Sequence, residues 1–337
     1  MRLLLLFFLP VVLCMKCMNY YGLETESYDL VCSWKHQPWW YLDRLKNDMN
    51  IDTLRIPFSA EYVSRGNFTN LDALMIDSQR VGFRVILDYH RTNSSHQSKH
   101  PGAESTLREF VDVWTTIIDR YLAYPNLWAV DLFNEPQDVD AEWMNVFNHR
   151  LVSTLEFRYS GRLVYILSCP EWGSDCRNID LDIPGVEPAR VKVGIHLYPF
   201  TSGALSLDSL MSKHIPANRW VVGETGYNIN DRQHAEWFSF FVGYLKKRNV
   251  TDVCLWTIAH SSDTGGWFDD NCETLLTKKV QALTPLWGGV PTARRVNQFS
   301  FLDKPHVVNR TETGGKHHGL RVPKNNTAIN QTPPPNP

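Results

Sequence analysis

Short apolar, β-branched runs recur along this chain at intervals of roughly 30 residues, with helix-like segments between them. The runs are 51–56, 83–89, 127–133, 163–167, 191–195, 220–222 and 253–257, with Tyr20-Tyr21-Gly22-Leu23 as an earlier eighth. Strands that alternate with helices pair in parallel through right-handed crossovers. Eight such units close a (β/α)8 TIM barrel. An open doubly wound sheet would normally carry a Gly-rich phosphate turn after its first strand, and none is present. The fold class predicted is therefore α/β, a single-domain barrel.

Helical spacing supports this reading. Leu107, Phe110, Val111, Trp114, Ile117, Ile118, Tyr121 and Leu122 fall at steps of three and four, and Pro125 follows as a stop. Trp237, Phe240, Phe241, Tyr244 and Leu245 repeat the pattern, as do Trp143-Val146-Phe147-Leu151 and Leu71-Leu74-Met75.

The two ends of the chain differ from its middle. Arg2 precedes the apolar run 3–13, which is shorter than the ~20 residues a membrane span needs and fits a signal-peptide core. Cleavage is expected near Cys17, giving a leader of residues 1–18, a (β/α)8 domain of 19–300 and a disordered Pro/Asn/Thr-rich tail of 301–337. The protein is expected to be secreted, extracellular and free of the membrane once the leader is removed. Six Asn-x-Ser/Thr sequons, at Asn67, Asn93, Asn249, Asn309, Asn325 and Asn330, agree weakly with that. Five cysteines remain beyond such a leader. Cys169 and Cys176 are spaced to close a loop, whereas Cys254 reads as a buried free thiol in a strand. A formal charge of −2 implies no basic face and no nucleic-acid partner.

Polar residues recur just past the apolar runs: Arg55, His90, Asn134 and Glu135, His196 and Tyr198, Glu224, and Trp256. In a barrel these positions converge on the C-terminal rim, where such folds hold their active sites. Two glutamates delivered from different strands are what acid-assisted cleavage of a sugar linkage requires. Each residue alone has a bland explanation, as a strand end or a structural ion pair. The ordered set does not.

That order resembles glycoside hydrolase family 5, particularly its cellulase-like endo-β-1,4-glucanases. The resemblance runs from about Tyr20 to Trp287, through Leu54-Arg55-Ile56-Pro57, Leu87-Asp88-Tyr89-His90, Phe133-Asn134-Glu135-Pro136, His196-Leu197-Tyr198, Val222-Gly223-Glu224 and Leu255-Trp256. It implies a barrel, no cofactor, no metal and retention of anomeric configuration. Glu135 would then be the proton donor and acid/base, held protonated by partial burial and the neighbouring carboxylate, and Glu224 the nucleophile. Arg55 would stabilise the ionised Glu224, Tyr198 would orient it, and Asn134 would bond the sugar 2-hydroxyl. His196 and His90 would serve as hydrogen-bond donors around substrate, and Trp256 as the floor for a sugar ring. In a retaining site the two carboxyls lie about 5–5.5 Å apart.

Trp34, Trp39, Trp40, Trp172 and Trp267 could form outer subsites, with Trp172 and Trp267 favoured because they lie in loops after strands. Asp263, in an Asp-Thr-Gly-Gly loop, could contact substrate. Two departures from the family pattern, the absence of Asn-Pro after Trp256 and the presence of Thr225, bear on substrate preference. The partner expected is a polysaccharide or oligosaccharide, acted on by a monomer. Three alternatives stay open. One is a metal-dependent hydrolase using Asp88, His90, His196 and the glutamates. Another is a non-catalytic carbohydrate-binding barrel. The third is the same chemistry on β-mannan, xyloglucan or mixed-linkage glucan.

Overall fold

A computed structural model describes residues 14–97, 99–200, 206–259 and 264–289. The tail and most of the expected leader lie outside the described residues.

Eight parallel strands close into a barrel in sequence order. They are β1 (Lys16–Asn19), β2 (Thr53–Ser59), β3 (Arg84–Arg91), β4 (Leu127–Asp131), β5 (Val164–Leu167), β6 (Val191–His196), β7 (Trp220–Thr225) and β8 (Val253–Leu255). The expected barrel is therefore present, with one correction at its start. The first stave is Lys16–Asn19, upstream of the 20–23 run, and Cys17 pairs along it with Thr53 of β2 and Cys254 of β8. Removing residues 1–18 would delete most of that stave. The structural domain accordingly begins before residue 19.

Five longer helices pack against the barrel: α1 (Pro38–Met49), α2 (Thr69–Val81), α3 (Leu107–Tyr121), α4 (Ala141–Tyr159) and α5 (Arg232–Arg248). Helix α3 opens with a capping box, in which Thr106 and Glu109 satisfy each other's backbone N–H groups. It buries Phe110, Trp114, Ile117, Ile118 and Tyr121. Full burial of such side chains contributes about 1.5–3 kcal/mol each. Two helices are rotated from the face the sequence suggests. In α5 the buried set is Phe238, Phe241, Val242 and Leu245, with Phe240 facing solvent. In α4 Val146 is exposed, and Met144, Phe147, Leu151 and Leu155 are buried.

Among the described residues, the crossovers around β6 carry no long helix. Between β5 and β6 the buried Ile179, Leu181, Ile183 and Val186 cover the barrel wall from an irregular segment. Leu207, Leu210, Met211 and Ile215 do the same between β6 and β7. In the second stretch Leu207, Leu210 and Met211 fall at helical spacing, but only the single turn Leu207–Leu210 is helical.

Side chains alternate across each strand, so every second residue enters the barrel in layers. The lower part of the barrel interior is an apolar cluster: Met15, Cys17, Ile86, Ala129, Ile166, Val221 and Cys254. Cys17 and Cys254 form a disulfide inside it, joining the first and last staves. Cys254 is thus not the free thiol expected from the sequence, because closing the barrel brings β1 beside β8. Cys169–Cys176 closes the loop after β5 as expected, and Cys32–Cys272 ties the loop after β1 to that after β8. Cys14 is the one free thiol among the described residues.

Candidate active site

Moving two residues along each strand from the apolar layer reaches a polar one. Asn19 follows Cys17, Asp88 follows Ile86 and Asp131 follows Ala129, while Arg55 enters from β2. All four are buried. The Arg55 guanidinium knits them together. Its Nε donates to Asp131 Oδ2 at 2.9 Å, Nη1 to Asn19 Oδ1 at 2.9 Å, and Nη2 to Asn134 Oδ1 at 2.9 Å. Nη1 also donates to Glu224 Oε1 at 2.8 Å, and Nη2 makes an ion pair with Asp88 Oδ1 at 3.0 Å. Burial alone would pull the Arg55 pKa down. The carboxylates of Asp88, Asp131 and Glu224 reverse that and hold it above its ordinary value.

The next layer carries the chemistry. Glu224 lies one residue before the end of β7, and both of its oxygens accept hydrogen bonds, Oε1 from Arg55 and Oε2 from the Tyr198 hydroxyl at 2.8 Å. Between Ile195 and His196 the β6–β7 register shifts, so His196 faces Glu224 where regular pairing would set it against Gly223. Gly223 is required there, since a Cβ would lie 2.6 Å from His196 Nε2. Glu135 follows β4 with a left-handed backbone, φ +44°, and its Oε1 lies 3.1 Å from His196 Nδ1. His196 Nδ1 is also 3.7 Å from Glu224 Oε2. One oxygen of Glu135, one of Glu224 and one His196 nitrogen all lie within 4.8 Å of one another.

Environment separates the two glutamates. Burial pushes the Glu135 carboxyl up to about 7, against the pull of Arg55 and Arg91. Burial, one of the two causes expected from the sequence, is the leading one that raises it. His196 is driven down to about 4 by burial, so it is a neutral hydrogen-bonding partner near neutral pH. Burial likewise lowers His90 well below its usual range, and raises Asp88 to about 7 and Asp131 to about 6. Glu135, His196 and Glu224 are the trio among the described residues with atoms close enough to hold a metal ion. A dication there would sit against the Arg55 guanidinium, which already occupies Glu224 at 2.8 Å, so the donor set does not favour it.

Trp256 is half-buried beyond β8, where its indole stacks on His90 (5.7 Å between centroids, 10° between planes) and on Tyr21 (5.7 Å, 24°). Trp172 is 50% exposed in the loop after β5, and its backbone N–H bonds the Pro136 carbonyl, next to Glu135. Trp267 requires a correction. It is fully buried, its indole N–H donates to the Trp256 carbonyl at 3.2 Å, and the Lys279 ammonium lies 4.9 Å from its ring. It supports the floor from beneath and offers no face to a sugar. Asp263 lies outside the described residues.

Arg55, His90, Asn134, Glu135, His196, Tyr198, Glu224 and Trp256, expected from the sequence, thus meet on one rim. The sequence reading missed Asn19, Asp131 and Tyr21 as parts of the site, and weighed Asp88 only as a metal ligand. Asp88 and Asp131 carry a legible signal, an acidic residue inside an apolar strand. Glu24 was also missed. Burial raises it to about 7, and its carboxylate accepts the Gly22 N–H at 2.8 Å, fastening the turn that presents Tyr21. Gly22 sits at φ +137°, and a Cβ there would lie 2.0 Å from the Asp29 carbonyl oxygen.

Comparison with known proteins agrees with this geometry. The family profile for cellulase (glycosyl hydrolase family 5) matches residues 16–262. An endoglucanase of Paenibacillus polymyxa is 26% identical over 145 residues, 37% of this chain and 36% of that protein. The chain thus matches only about a third of that relative's length. Among solved structures, the hyperthermophilic endocellulase of the archaeon Pyrococcus horikoshii superposes with a TM-score of 0.68 at 18% identity, covering 82% of this chain and 93% of that one. The catalytic domain of the major endoglucanase of Xanthomonas campestris pv. campestris gives 0.68 at 18% identity, covering 82% and 95%. These structures share the fold. With the profile spanning most of the barrel and a paired-carboxylate site at its rim, the chain belongs to glycoside hydrolase family 5.

Proposed function

We propose that this enzyme is a secreted, retaining endo-β-1,4-glucanase acting on cellulose-like β-glucan. One observation carries the mechanism: an oxygen of Glu135 and one of Glu224 lie within 4.8 Å of each other. Retaining enzymes hold their carboxyls about 5–5.5 Å apart, whereas inverting ones leave about 6.5–9.5 Å for a water. Glu224, with both oxygens oriented by Arg55 and Tyr198, attacks the anomeric carbon as a carboxylate. Glu135, raised to about 7 by burial, gives its proton to the departing oxygen. It then takes a proton from the water that releases the glycosyl-enzyme.

The β-glucan preference is supported by the endocellulase and endoglucanase neighbours, one of them, from P. horikoshii, in complex with cellotetraose. Trp256 as floor and Trp172 beside the acid fit an oligosaccharide lying across the rim. Secretion is supported by three disulfides and by sequons at the exposed Asn67, Asn93 and Asn249. We read the protein as a monomer with no membrane association after leader removal.

The test is product analysis on carboxymethylcellulose, mixed-linkage glucan, xylan and mannan. A rapid fall in viscosity of carboxymethylcellulose with few reducing ends is expected. Turnover of mannan alone would overturn the glucanase assignment.

A further inference from the structure

Asp88 is not needed for acid, base or nucleophile, yet it stands between a hydrogen-bonded His90 and an ion-paired Arg55. Its Oδ2 lies 2.6 Å from His90 Nδ1, two residues along the same strand, and its Oδ1 lies 3.0 Å from Arg55 Nη2. The opposite ring nitrogen, His90 Nε2, lies 3.3 Å from Asn134 Nδ2. Asn134 cannot turn its amide over, because Arg55 Nη2 donates to its Oδ1 at 2.9 Å. The His90 ring is held in plane by stacking on Trp256 at 5.7 Å.

These contacts permit one proton arrangement. Arg55 fixes Oδ1 of Asn134 as acceptor, so Nδ2 must point at His90 and donate. His90 Nε2 must then be bare, which puts the ring proton on Nδ1, facing the Asp88 carboxylate. The second Asn134 N–H is left for substrate. We propose that Asp88 is a positioning residue that, through the His90 tautomer, sets the Asn134 amide for the sugar 2-hydroxyl. This rests on the glycosidase reading above and assigns a task to a residue outside the reacting set.

Asp88→Asn tests it sharply. Oδ1 faces a guanidinium, so the new amide must keep its oxygen there and turn its NH2 towards His90 Nδ1. That forces the proton to Nε2 and sets two donors against each other at Asn134. Rates on an aryl β-cellobioside and on its analogue lacking the 2-hydroxyl at the cleaved sugar separate this from general damage. Asp88→Asn should lower kcat/KM on the 2-hydroxy substrate by about ten- to a hundredfold and leave the 2-deoxy rate within about threefold. An equal loss on both substrates would overturn the proposal while leaving the glycosidase reading intact. Nitrogen-15 NMR of histidine-labelled wild-type protein at pH 8 needs neither the variant nor turnover. It should find His90 protonated on Nδ1, and protonation on Nε2 would refute the relay.

Discussion

Arg55 and Glu224, 169 residues apart in sequence, meet at 2.8 Å in a site where both are buried. The same guanidinium serves Asn19, Asp88, Asp131 and Asn134. It is therefore both the counter-charge of Glu224 and the hub of the polar layer beneath the rim. A planar fork can serve five partners at once, whereas a single ammonium cannot. Arg55→Lys is expected to lower kcat by about a hundredfold or more. Arg55→Met would strand three carboxylates in the barrel, and removing one partner of a buried ion pair costs about 3–5 kcal/mol. Urea unfolding with initial-rate assays would measure both; an Arg55→Met variant as stable as wild type would contradict the hub assignment.

In the proposed mechanism Glu135 must be protonated to assist departure of the leaving group. With its carboxyl raised to about 7, kcat/KM should fall on the alkaline side with an apparent pKa near 7. Glu135→Gln should remove that limb and lower kcat on natural glucan by about a thousandfold or more. Aryl glycosides with good leaving groups should lose far less. An alkaline limb that survives in Glu135→Gln would belong to another group.

The same shift has a consequence for stability. The folded pKa of Glu135 lies above its unfolded value of 4.5, so its stabilising contribution is complete below pH 4.5 and is lost as pH rises through about 7. Glutamine carries no such penalty. Glu135→Gln should therefore be more stable than wild type at pH 8.5, by roughly 1–3 kcal/mol, with the difference vanishing towards pH 4. Denaturant midpoints at the two pH values check the sign. A variant less stable than wild type at pH 8.5 would contradict it.

Cys17 and Cys254 close the ring between its first and last staves across 237 residues of sequence. Removing both as Cys17→Ala/Cys254→Ala should cost about 2–5 kcal/mol with the active-site geometry preserved, so kcat at 25 °C should change little. The stave also limits where a leader can end. On the proposal that the protein is secreted, sequencing of the mature chain should find its N-terminus at or before Lys16, and a mature chain starting at Asn19 would be inconsistent with this barrel.

Trp172 and Trp267 should respond differently to truncation. Trp172→Ala removes a half-exposed ring from a segment whose backbone bonds Pro136, and is expected to raise KM several-fold with unfolding unchanged. Trp267→Ala opens a cavity under Trp256 and should cost about 3–5 kcal/mol. Equal stability of the two variants would reverse these assignments.

The barrel and the rim residues were legible because both depend on local pattern. A strand buried on both faces, by the barrel interior and by the surrounding helices, leaves an apolar run, and the polar residue beyond it emerges at the open end. What escaped the sequence depends on which distant segments become neighbours. Cys254 looked free because β1 lies beside β8 only in the closed ring. Lys16–Asn19 is a short stave adjoining an apolar run, so its strand character merged with that of the expected leader. Trp267 occupies a loop, and loop position carries no information on depth. Asp88 and Asp131 stood out as charges in apolar strands, but their partner, Arg55, is supplied by a third strand.

The most direct test of the paired-carboxylate account is covalent trapping with a 2-deoxy-2-fluoro cellobioside bearing an activated leaving group, followed by peptide mass mapping. The account predicts one glycosyl adduct per molecule, on Glu224 within the peptide that contains β7. An adduct on Glu135, or steady turnover with no adduct and products released in the inverted configuration, would contradict it.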